Sequence, residues 1–265
     1  MSERVSAKTF IFGLLPLRQR WELPPKKGPM KAVILAGGKG TRLAPYTNIL
    51  PKPLMPIGDM PILEVLLRQM KRAGVDDVVL TVGHLAQLLE AFFLDGSQWG
   101  LKIRYSYEQQ PLGTAGPLSL IECLDETFLV SNGDVLTTLD LEELIRFHKE
   151  HGGIATIAVH RRQVRIDLGV VQWNGGDTIC GYIEKPVYDY TVSMGIYVFE
   201  PRVLEYIPRN RYLDFPDLVL KLIAAGEKVT GYTFGGYWKD LGRPDDYEEA
   251  ARDFAQMQAQ FLPES

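Results

Sequence analysis

Apolar and polar residues alternate along the chain in blocks that predict strands and helices in turn. Continuous apolar runs that end at glycine predict strands buried on both faces, and the first of these covers residues 31–37. Apolar residues three and four positions apart predict an amphipathic helix over residues 61–74, with Asp59 as its candidate cap and Gly74 as its end. This order of strand, loop and helix repeats as far as residue 160.

The repeat predicts an α/β fold. Further strands are predicted over residues 75–83, 101–108, 127–135 and 154–160, and further helices over residues 84–96, 113–124 and 141–153. Strands that alternate with helices indicate a Rossmann-like, three-layer α/β/α domain with a mostly parallel central sheet. Ligands of such sheets bind at the carboxyl ends of the strands, so we expect residues 37–42, 108–113 and 133–134 to converge on one crevice.

The second half of the chain is richer in short strands. Residues 160–240 hold four such runs, in the segments LGVVQW, TICGYIE, SMGIYVFE and KVTGYTF. We expect them to form a sheet-rich continuation that closes over the crevice. Two more helices are predicted over residues 216–226 and 244–262.

Length and composition fit one domain with a short extension. The chain has 265 residues, a net charge of -4 and 46% hydrophobic residues. We assign residues 30–265 to the domain, with Met30 as its natural start. Residues 1–29 carry six basic and two acidic residues and a short apolar patch, but no small-residue cleavage site follows. We therefore interpret them as a flexible extension and not as an export signal.

Charge and apolar content exclude several classes of protein. The mild negative charge gives no reason to expect a nucleic-acid partner, and no apolar run approaches the roughly 18–20 residues that span a membrane. Cys123 and Cys180 lie far apart, which predicts buried or half-buried thiols in a reducing compartment and hence a cytoplasmic protein. His148 and His151 lie on a charged helix and are expected to be solvated.

A glycine-rich loop, LAGGKGTRL, follows the first strand over residues 35–43. Its spacing fits neither a Walker A loop nor a dinucleotide-binding GxGxxG turn. Its glycines let consecutive backbone N–H groups face one concavity, which binds anions, and Arg42 adds a planar charged fork suited to phosphate. The loop therefore predicts a polyphosphate site, with an ordinary turn carrying a surface arginine as the alternative.

Five other charged positions are candidates for the chemistry. Lys52 stands between two prolines that stiffen its segment, so its ammonium could meet charge that develops on a phosphoryl group. Asp134 follows a buried strand and Asp240 precedes a glycine, and two such carboxylates can bind Mg²⁺. Glu184 and Lys185 could bind sugar hydroxyls and a monophosphate. Taken singly, each is explained as well by a turn, a connector or a solvated charge pair.

Together these segments resemble one family, the sugar-phosphate nucleotidylyltransferases. The segments AGGKGTRL, PKPLMPIGDMPILE, NGD, EKP, MGIYVF and WKDLGRPDDY occur in the order of the family, and the resemblance covers about residues 30–250. It implies the nucleotide-diphospho-sugar transferase type of fold, with a nucleoside triphosphate and a sugar 1-phosphate as partners and Mg²⁺ as cofactor. It also implies in-line attack of the sugar phosphate on the α-phosphorus, with release of pyrophosphate.

The resemblance implies roles for individual residues. For the nucleotide it implies Leu35, Gly37, Gly38, Gly40, Thr41, Glu108, Gly113 and Thr114. For catalysis it implies Arg42, Lys52 and Asp134, for the metal Asp134 and Asp240, and for the sugar phosphate Gly169, Glu184, Lys185 and Gly195. Many relatives have a tyrosine before the glycine that contacts the sugar, whereas this chain has Leu168 before Gly169.

The expected base and sugar of the substrates are inferred from a shorter segment. EQQPLGTAGPL, which begins at Glu108, resembles the corresponding segment of mannose-1-phosphate guanylyltransferases. A carboxylate can accept hydrogen bonds from N1–H and N2–H₂ of guanine, whereas the glutamine common in thymidylyl and uridylyl relatives suits thymine or uracil. We therefore expect GTP, with mannose or a manno-configured heptose as the sugar.

Other functions stay open at this point. The base could be thymine, uracil or cytosine, and another sugar 1-phosphate could be the acceptor. A glycosyltransferase would need a DxD segment, and the only approach to one, DVLTTLD, has the wrong spacing. A non-catalytic subunit that senses nucleotide sugars would be expected to lack Arg42, Lys52, Asp134 or Asp240, and all four are present. A homodimer is a further hypothesis, and we expect none of the regulatory domains of longer relatives.

Overall fold

A central β-sheet organises the molecule. The structure is a computed structural model that describes residues 30–263, and the expectations for residues 1–29 lie outside these residues. The strands are β1 (Met30–Leu35), β2 (Pro56–Ile57), β3 (Met60–Pro61), β4 (Val75–Val82), β5 (Lys102–Tyr107), β6 (Phe128–Asn132), β7 (Val135–Thr137), β8 (Ala155–Arg165), β9 (Val170–Trp173), β10 (Ile179–Ile183), β11 (Val187–Phe199), β12 (Val229–Phe234) and β13 (Trp238–Asp240). The α-helices are α1 (Ile62–Arg72), α2 (Ala86–Phe93), α3 (Leu141–His151), α4 (Phe215–Ala224) and α5 (Pro244–Phe261).

Seven strands form the sheet in the order β12-β8-β11-β6-β1-β4-β5. All neighbours are parallel except β11, which runs antiparallel to both β6 and β8. Alternate residues of β1 belong to different cores, since Ala32 and Ile34 pack with α1, α2 and α3, whereas Val33 packs with α4. Because helices cover both faces, the three-layer α/β/α fold with a mostly parallel sheet is confirmed.

The short strands of the second half divide between two places. β8, β11 and β12 complete the central sheet, whereas β9 and β10 form a separate two-stranded hairpin. β8 continues to Arg165, five residues beyond its predicted end, because its outer half pairs with the outer half of β11. β13 pairs with β7, and α5 packs beside them through Phe254 and Phe261.

Several local predictions are wrong. The segment predicted as a helix over residues 113–124 holds only a 3-10 turn, Gly116–Leu120, because its glycines and Pro117 disfavour a longer helix. α1 begins after Pro61 with no side-chain cap, so Asp59 does not cap it, whereas Gly74 at φ +83 ends it as predicted.

The burial of the thiols and of one histidine also differs from expectation. Cys123 and Cys180 are both exposed, since one lies in a surface loop and the other on the β9–β10 hairpin. His148 is 1% exposed because it lies on the inner face of α3, where its ring nitrogens contact Thr156 Oγ1 at 2.7 Å and Glu200 Oε1 at 3.0 Å. Within residues 30–263, no helix has the length and apolarity to cross a membrane.

Candidate functional site

A cleft of about 710 Å³ opens at the carboxyl ends of the central parallel strands. The glycine-rich loop after β1, the segment after β5 and Gly133–Asp134 after β6 all line it. The predicted convergence of these three segments on one crevice is therefore confirmed. It follows from the parallel order of the strands, which brings their carboxyl ends to one edge of the sheet.

The glycine-rich loop is shaped by close approaches that exclude side chains. A Cβ on Gly37 would lie 2.7 Å from Glu108 Oε1, so a side chain there would displace the Glu108 carboxylate from its present position. Gly40 has φ +61, and its carbonyl accepts a hydrogen bond of 2.8 Å from the Thr47 hydroxyl. The 3-10 turn Thr41–Leu43 follows, with Leu43 buried, and this turn carries Arg42 to the cleft.

Lys52 joins two carboxylates beside this loop. The residue is 8% exposed, and the 3-10 turn Lys52–Leu54 that holds it is stiffened by Pro51 and Pro53. Its ammonium contacts Asp134 Oδ2 and lies 3.6 Å from Asp240 Oδ1. A lysine this buried is seldom found without a partner, and here it has two.

Asp134 and Asp240 are far apart in the sequence and meet through backbone pairing. Val135 of β7 lies opposite Asp240 of β13, and Leu241 N donates a hydrogen bond of 3.2 Å to Asp134 O. This pairing fixes the separation of the two backbone segments from which the carboxylates project. They are therefore held together by the fold.

The electrostatics of the carboxylate pair favour a cation. Burial, and then the neighbouring Asp134 carboxylate, raise the pKa of Asp240, while the charges of Lys52 and Arg42 oppose this rise. Gly242 leaves room for the arginine, since a Cβ there would lie 3.3 Å from both Arg42 Cζ and Asp240 Oδ2. Mg²⁺ commonly binds one or two carboxylates and completes its coordination with substrate phosphates and water. Asp134 and Asp240 fit that donor set, and the described residues contain no group of three or more potential ligands.

Glu108 lies at the other end of the cleft. Its backbone N–H donates to Val82 O at 3.2 Å, and its Oε2 accepts a hydrogen bond of 3.1 Å from Leu112 N. Burial raises the pKa of this carboxyl group, and the hydrogen bond from Leu112 partly opposes the rise. Glu108 is thus a fixed, half-buried acceptor that faces the glycine-rich loop.

The sugar-phosphate candidates are only partly brought together. Gly195, at φ +73, packs against the amide of Asn132, which lines the cleft. Gly169 packs against the Tyr182 hydroxyl beside the β9–β10 hairpin, and Glu184 and Lys185 are exposed just after β10. These three candidates do not line the cleft.

The remaining nucleotide candidates divide in the same way. Leu35, Gly38, Gly113 and Thr114 line the cleft, whereas Thr41 is exposed on the neighbouring turn and does not. Several cleft residues were not predicted from the sequence, namely Thr81, His84, Asn132, Tyr212 and Asp214. His84 and Asn132 could have been found, because they stand at the ends of β4 and β6. Tyr212 and Asp214 come from the segment before α4, which carries no local signal.

The sheet order and the cleft at the strand ends define an α/β protein of the nucleotide-diphospho-sugar transferase fold. The chain belongs to the nucleotidyl transferase family, whose model matches residues 31–257. Two solved structures share the fold: HddC from Yersinia pseudotuberculosis (TM-score 0.66, 25% identity, 85% of this chain and 99% of that chain) and a UDP-glucose pyrophosphorylase complexed with UDP-glucose (TM-score 0.66, 21% identity, 86% and 99%).

Two curated relatives are similar at the level of sequence. A UTP–glucose-1-phosphate uridylyltransferase from Synechocystis sp. is 37% identical over 243 residues, and a mannose-1-phosphate guanylyltransferase from Mycobacterium tuberculosis is 37% identical over 229 residues. Each alignment covers 84% of this chain. The aligned part spans 63% of the length of the first relative and 64% of the second.

Proposed function

We propose that this protein is a sugar-1-phosphate nucleotidylyltransferase, which joins a nucleoside triphosphate to a sugar 1-phosphate and releases pyrophosphate. The observation that carries the proposal is the convergence of the glycine-rich loop with Arg42, Lys52 and Asp134 in one cleft. Asp240 lies beside them, with its Oδ1 3.6 Å from the Lys52 ammonium. A loop that binds anions, two cations and a carboxylate pair are the parts that phosphoryl transfer requires.

The mechanism needs positioning and charge stabilisation only. The backbone N–H groups of the glycine-rich loop bind the triphosphate, and Arg42 and Lys52 stabilise charge on the α- and β-phosphates. The phosphate oxygen of the sugar attacks the α-phosphorus in line, and pyrophosphate leaves without a covalent enzyme intermediate. Mg²⁺ held by Asp134 and Asp240 would neutralise negative charge on the phosphates of both substrates.

We propose GTP as the nucleotide and mannose 1-phosphate or a manno-heptose 1-phosphate as the acceptor. Glu108 supports guanine, because its ionised carboxylate has only acceptors to offer, and the Watson–Crick edge of guanine presents two donors. The name of the Mycobacterium tuberculosis relative agrees with this choice, whereas the Synechocystis relative of equal identity bears the name of a uridylyltransferase. The carboxylate therefore supplies the argument for the base.

One matrix of assays tests the proposal. GTP, dTTP, UTP and CTP are each combined with several sugar 1-phosphates and Mg²⁺, and pyrophosphate release is measured. We expect release with GTP and a manno-configured sugar phosphate. Release with another pair would correct the substrates, and nucleotide binding without release in any pair would support a sensing subunit. The proposal would be refuted if the protein neither bound a nucleotide nor released pyrophosphate with any pair.

Glu108→Gln is expected to weaken the preference for GTP. Replacing the carboxylate by an amide removes one acceptor and adds a donor, so kcat/KM for GTP relative to UTP should fall by about 10-fold to 100-fold, as expected for loss of a bidentate base contact. The ratio is measured with both nucleotides at a fixed sugar 1-phosphate. Glu126→Gln, an exposed position before β6, is the control. An unchanged ratio in Glu108→Gln would show that this carboxylate does not select the base.

The same residue predicts a dependence of GTP affinity on pH. Only the ionised carboxylate accepts from both donors of guanine, and burial raises the pKa of Glu108. GTP affinity should therefore be full above this raised pKa and be lost as the pH falls through it, by up to about tenfold per pH unit. Calorimetric titrations between pH 8 and pH 5 measure the effect. The same titrations with Glu108→Gln separate protonation of Glu108 from protonation of the nucleotide, because protonation of the nucleotide affects the variant and the unaltered protein equally.

Arg42→Ala is expected to lower turnover by about 100-fold, in the range for removal of one group that stabilises charge in the transition state. Arg42 is exposed and its turn is anchored by Leu43, so the fold should survive the change. Turnover is compared with thermal unfolding of the same sample, and Arg72→Ala, an exposed arginine at the end of α1, is the control. A large loss of thermal stability with activity retained would contradict this assignment.

A further inference from the structure

The segment before α4 is bound to the segment that follows β5. Leu213 N donates to Leu112 O at 2.9 Å, and Ala115 N and Gly116 N both donate to Leu213 O, at 2.9 and 3.0 Å. Gly113 has φ +78, and a Cβ there would lie 2.6 Å from Leu213 O. The two segments are therefore in close backbone contact, although about a hundred residues separate them in the sequence.

Asp214 supplies a second set of bonds between the same segments. Its Oδ1 accepts from Thr114 N at 2.9 Å and from the Thr114 hydroxyl at 3.1 Å. The Thr114 oxygen in turn accepts from Phe215 N at 2.8 Å, and Asp214 Oδ2 accepts from the Tyr212 hydroxyl at 2.6 Å. The Tyr212 hydroxyl, and then the bonds from Thr114, lower the pKa of Asp214, so this carboxylate accepts these bonds in its ionised form.

The hydrogen bonds of Asp214 lie beside the part of the cleft where we place the base. Tyr212 and Asp214 line the same cleft as Glu108 and Gly113. The segment after β5 is thus held at one end by Glu108, which accepts from Leu112 N, and at the other by Asp214 through Thr114. The backbone N–H and the hydroxyl of Thr114 are already hydrogen-bonded within the protein, so the part of these two groups is to hold the segment in place.

We propose that Asp214 is a positioning residue for base recognition, an inference that rests on the proposed function of the cleft. Its bonds to Thr114 set the position of the segment after β5 relative to Glu108. Binding of a rigid base is favoured when the groups that contact it are held in place beforehand. Lys52, Asp134 and Asp240 are held by other elements, so the loss of Asp214 should affect the base and not the chemistry at phosphorus.

Asp214→Ala tests this inference. We expect KM for the preferred nucleotide to rise by about tenfold, the magnitude for loss of a hydrogen bond to a charged group, while kcat stays within about threefold. Selectivity between the preferred nucleotide and the others should narrow by a similar factor. Inhibition by inorganic tripolyphosphate, which has no base, should be unchanged. Asp217→Ala, an exposed carboxylate in the first turn of α4, is the matched control.

Three further variants keep the inference falsifiable if Asp214→Ala folds poorly. Thr114→Val removes the hydroxyl partner of Asp214, and its effect on KM should not add to that of Asp214→Ala, since both break the same contact. Tyr212→Phe removes a single hydroxyl and should give a smaller change in the same direction. Asp214→Asn keeps an oxygen that can accept from Thr114 and should restore most of the selectivity.

The outcomes separate this inference from the proposed function. If the unaltered protein binds no nucleotide, the proposed function fails first. If it selects among nucleotides and Asp214→Ala keeps the same KM and selectivity, the role of Asp214 is wrong. The role of Asp214 would also be wrong if Asp214→Ala lowered kcat, weakened inhibition by tripolyphosphate and lowered the thermal stability together. Such a result would show a general structural effect.

Discussion

Lys52→Met is expected to lower turnover by about 100-fold to 1,000-fold, the range measured when one group that stabilises transition-state charge is removed. Methionine keeps the length of the side chain and removes the ammonium. That ammonium contacts Asp134 and lies 3.6 Å from Asp240, at the end of the cleft where we place the reacting phosphates. Without it the two carboxylates face each other unneutralised and repel the triphosphate as well.

The measurement is the rate of pyrophosphate release at saturating substrates and Mg²⁺. Lys102→Met, an exposed lysine on β5, serves as the control for a change of charge alone. Circular dichroism of both variants shows whether the sheet is kept. Turnover in Lys52→Met within threefold of the unaltered protein would exclude a catalytic role for this lysine.

Asp134→Asn is expected to lower turnover by about 100-fold or more and to raise the Mg²⁺ concentration needed for activity. The amide has the same shape, but it offers a neutral oxygen where Mg²⁺ prefers a carboxylate. Asp134 also forms an ion pair with the Lys52 ammonium, so replacing its carboxylate by an amide weakens the contact that holds the lysine side chain. The loss should therefore appear both in the metal requirement and in the rate at saturating metal.

Activity is measured across a series of Mg²⁺ concentrations for the variant and the unaltered protein. Asp177→Asn, in the exposed loop between β9 and β10, controls for the loss of one negative charge. A shift in the Mg²⁺ midpoint supports Asp134 as a metal ligand. The same midpoint and the same rate in Asp134→Asn would remove this residue from the proposed site.

The elements of this fold were predictable where the local pattern and the tertiary contacts agree. β1 and α1 have apolar residues at the period of their final structure, and each ends within two residues of its predicted end. The segment over residues 113–124 has a helical distribution of apolar residues, yet its backbone is bound to Leu213 and Asp214. Its glycines and Pro117 disfavour a helix, and hydrogen bonds to a distant segment hold the conformation that it adopts instead.

The candidate site divides in the same way. The strand-end rule predicts from the sequence that the glycine-rich loop, Glu108 and Gly133–Asp134 surround one cleft, and the structure confirms that placement. The same rule said nothing of Asp214, since the segment before α4 does not follow a parallel strand. Gly169, Glu184 and Lys185 lie beside the hairpin, so their proposed role in binding the sugar phosphate stays a prediction, as do Mg²⁺, a homodimer and a cytoplasmic location.

By itself, the sequence determined the class of fold, the glycine-rich loop and the residue types that phosphoryl transfer needs. These are local properties, because they depend on the period of apolar residues and on the chemistry of neighbouring side chains. Only the tertiary structure decided that Lys52 lies between Asp134 and Asp240, and that Asp214 holds the segment beside Glu108. Those distances depend on the pairing of β7 with β13 and on contacts between segments a hundred residues apart, which no local pattern records.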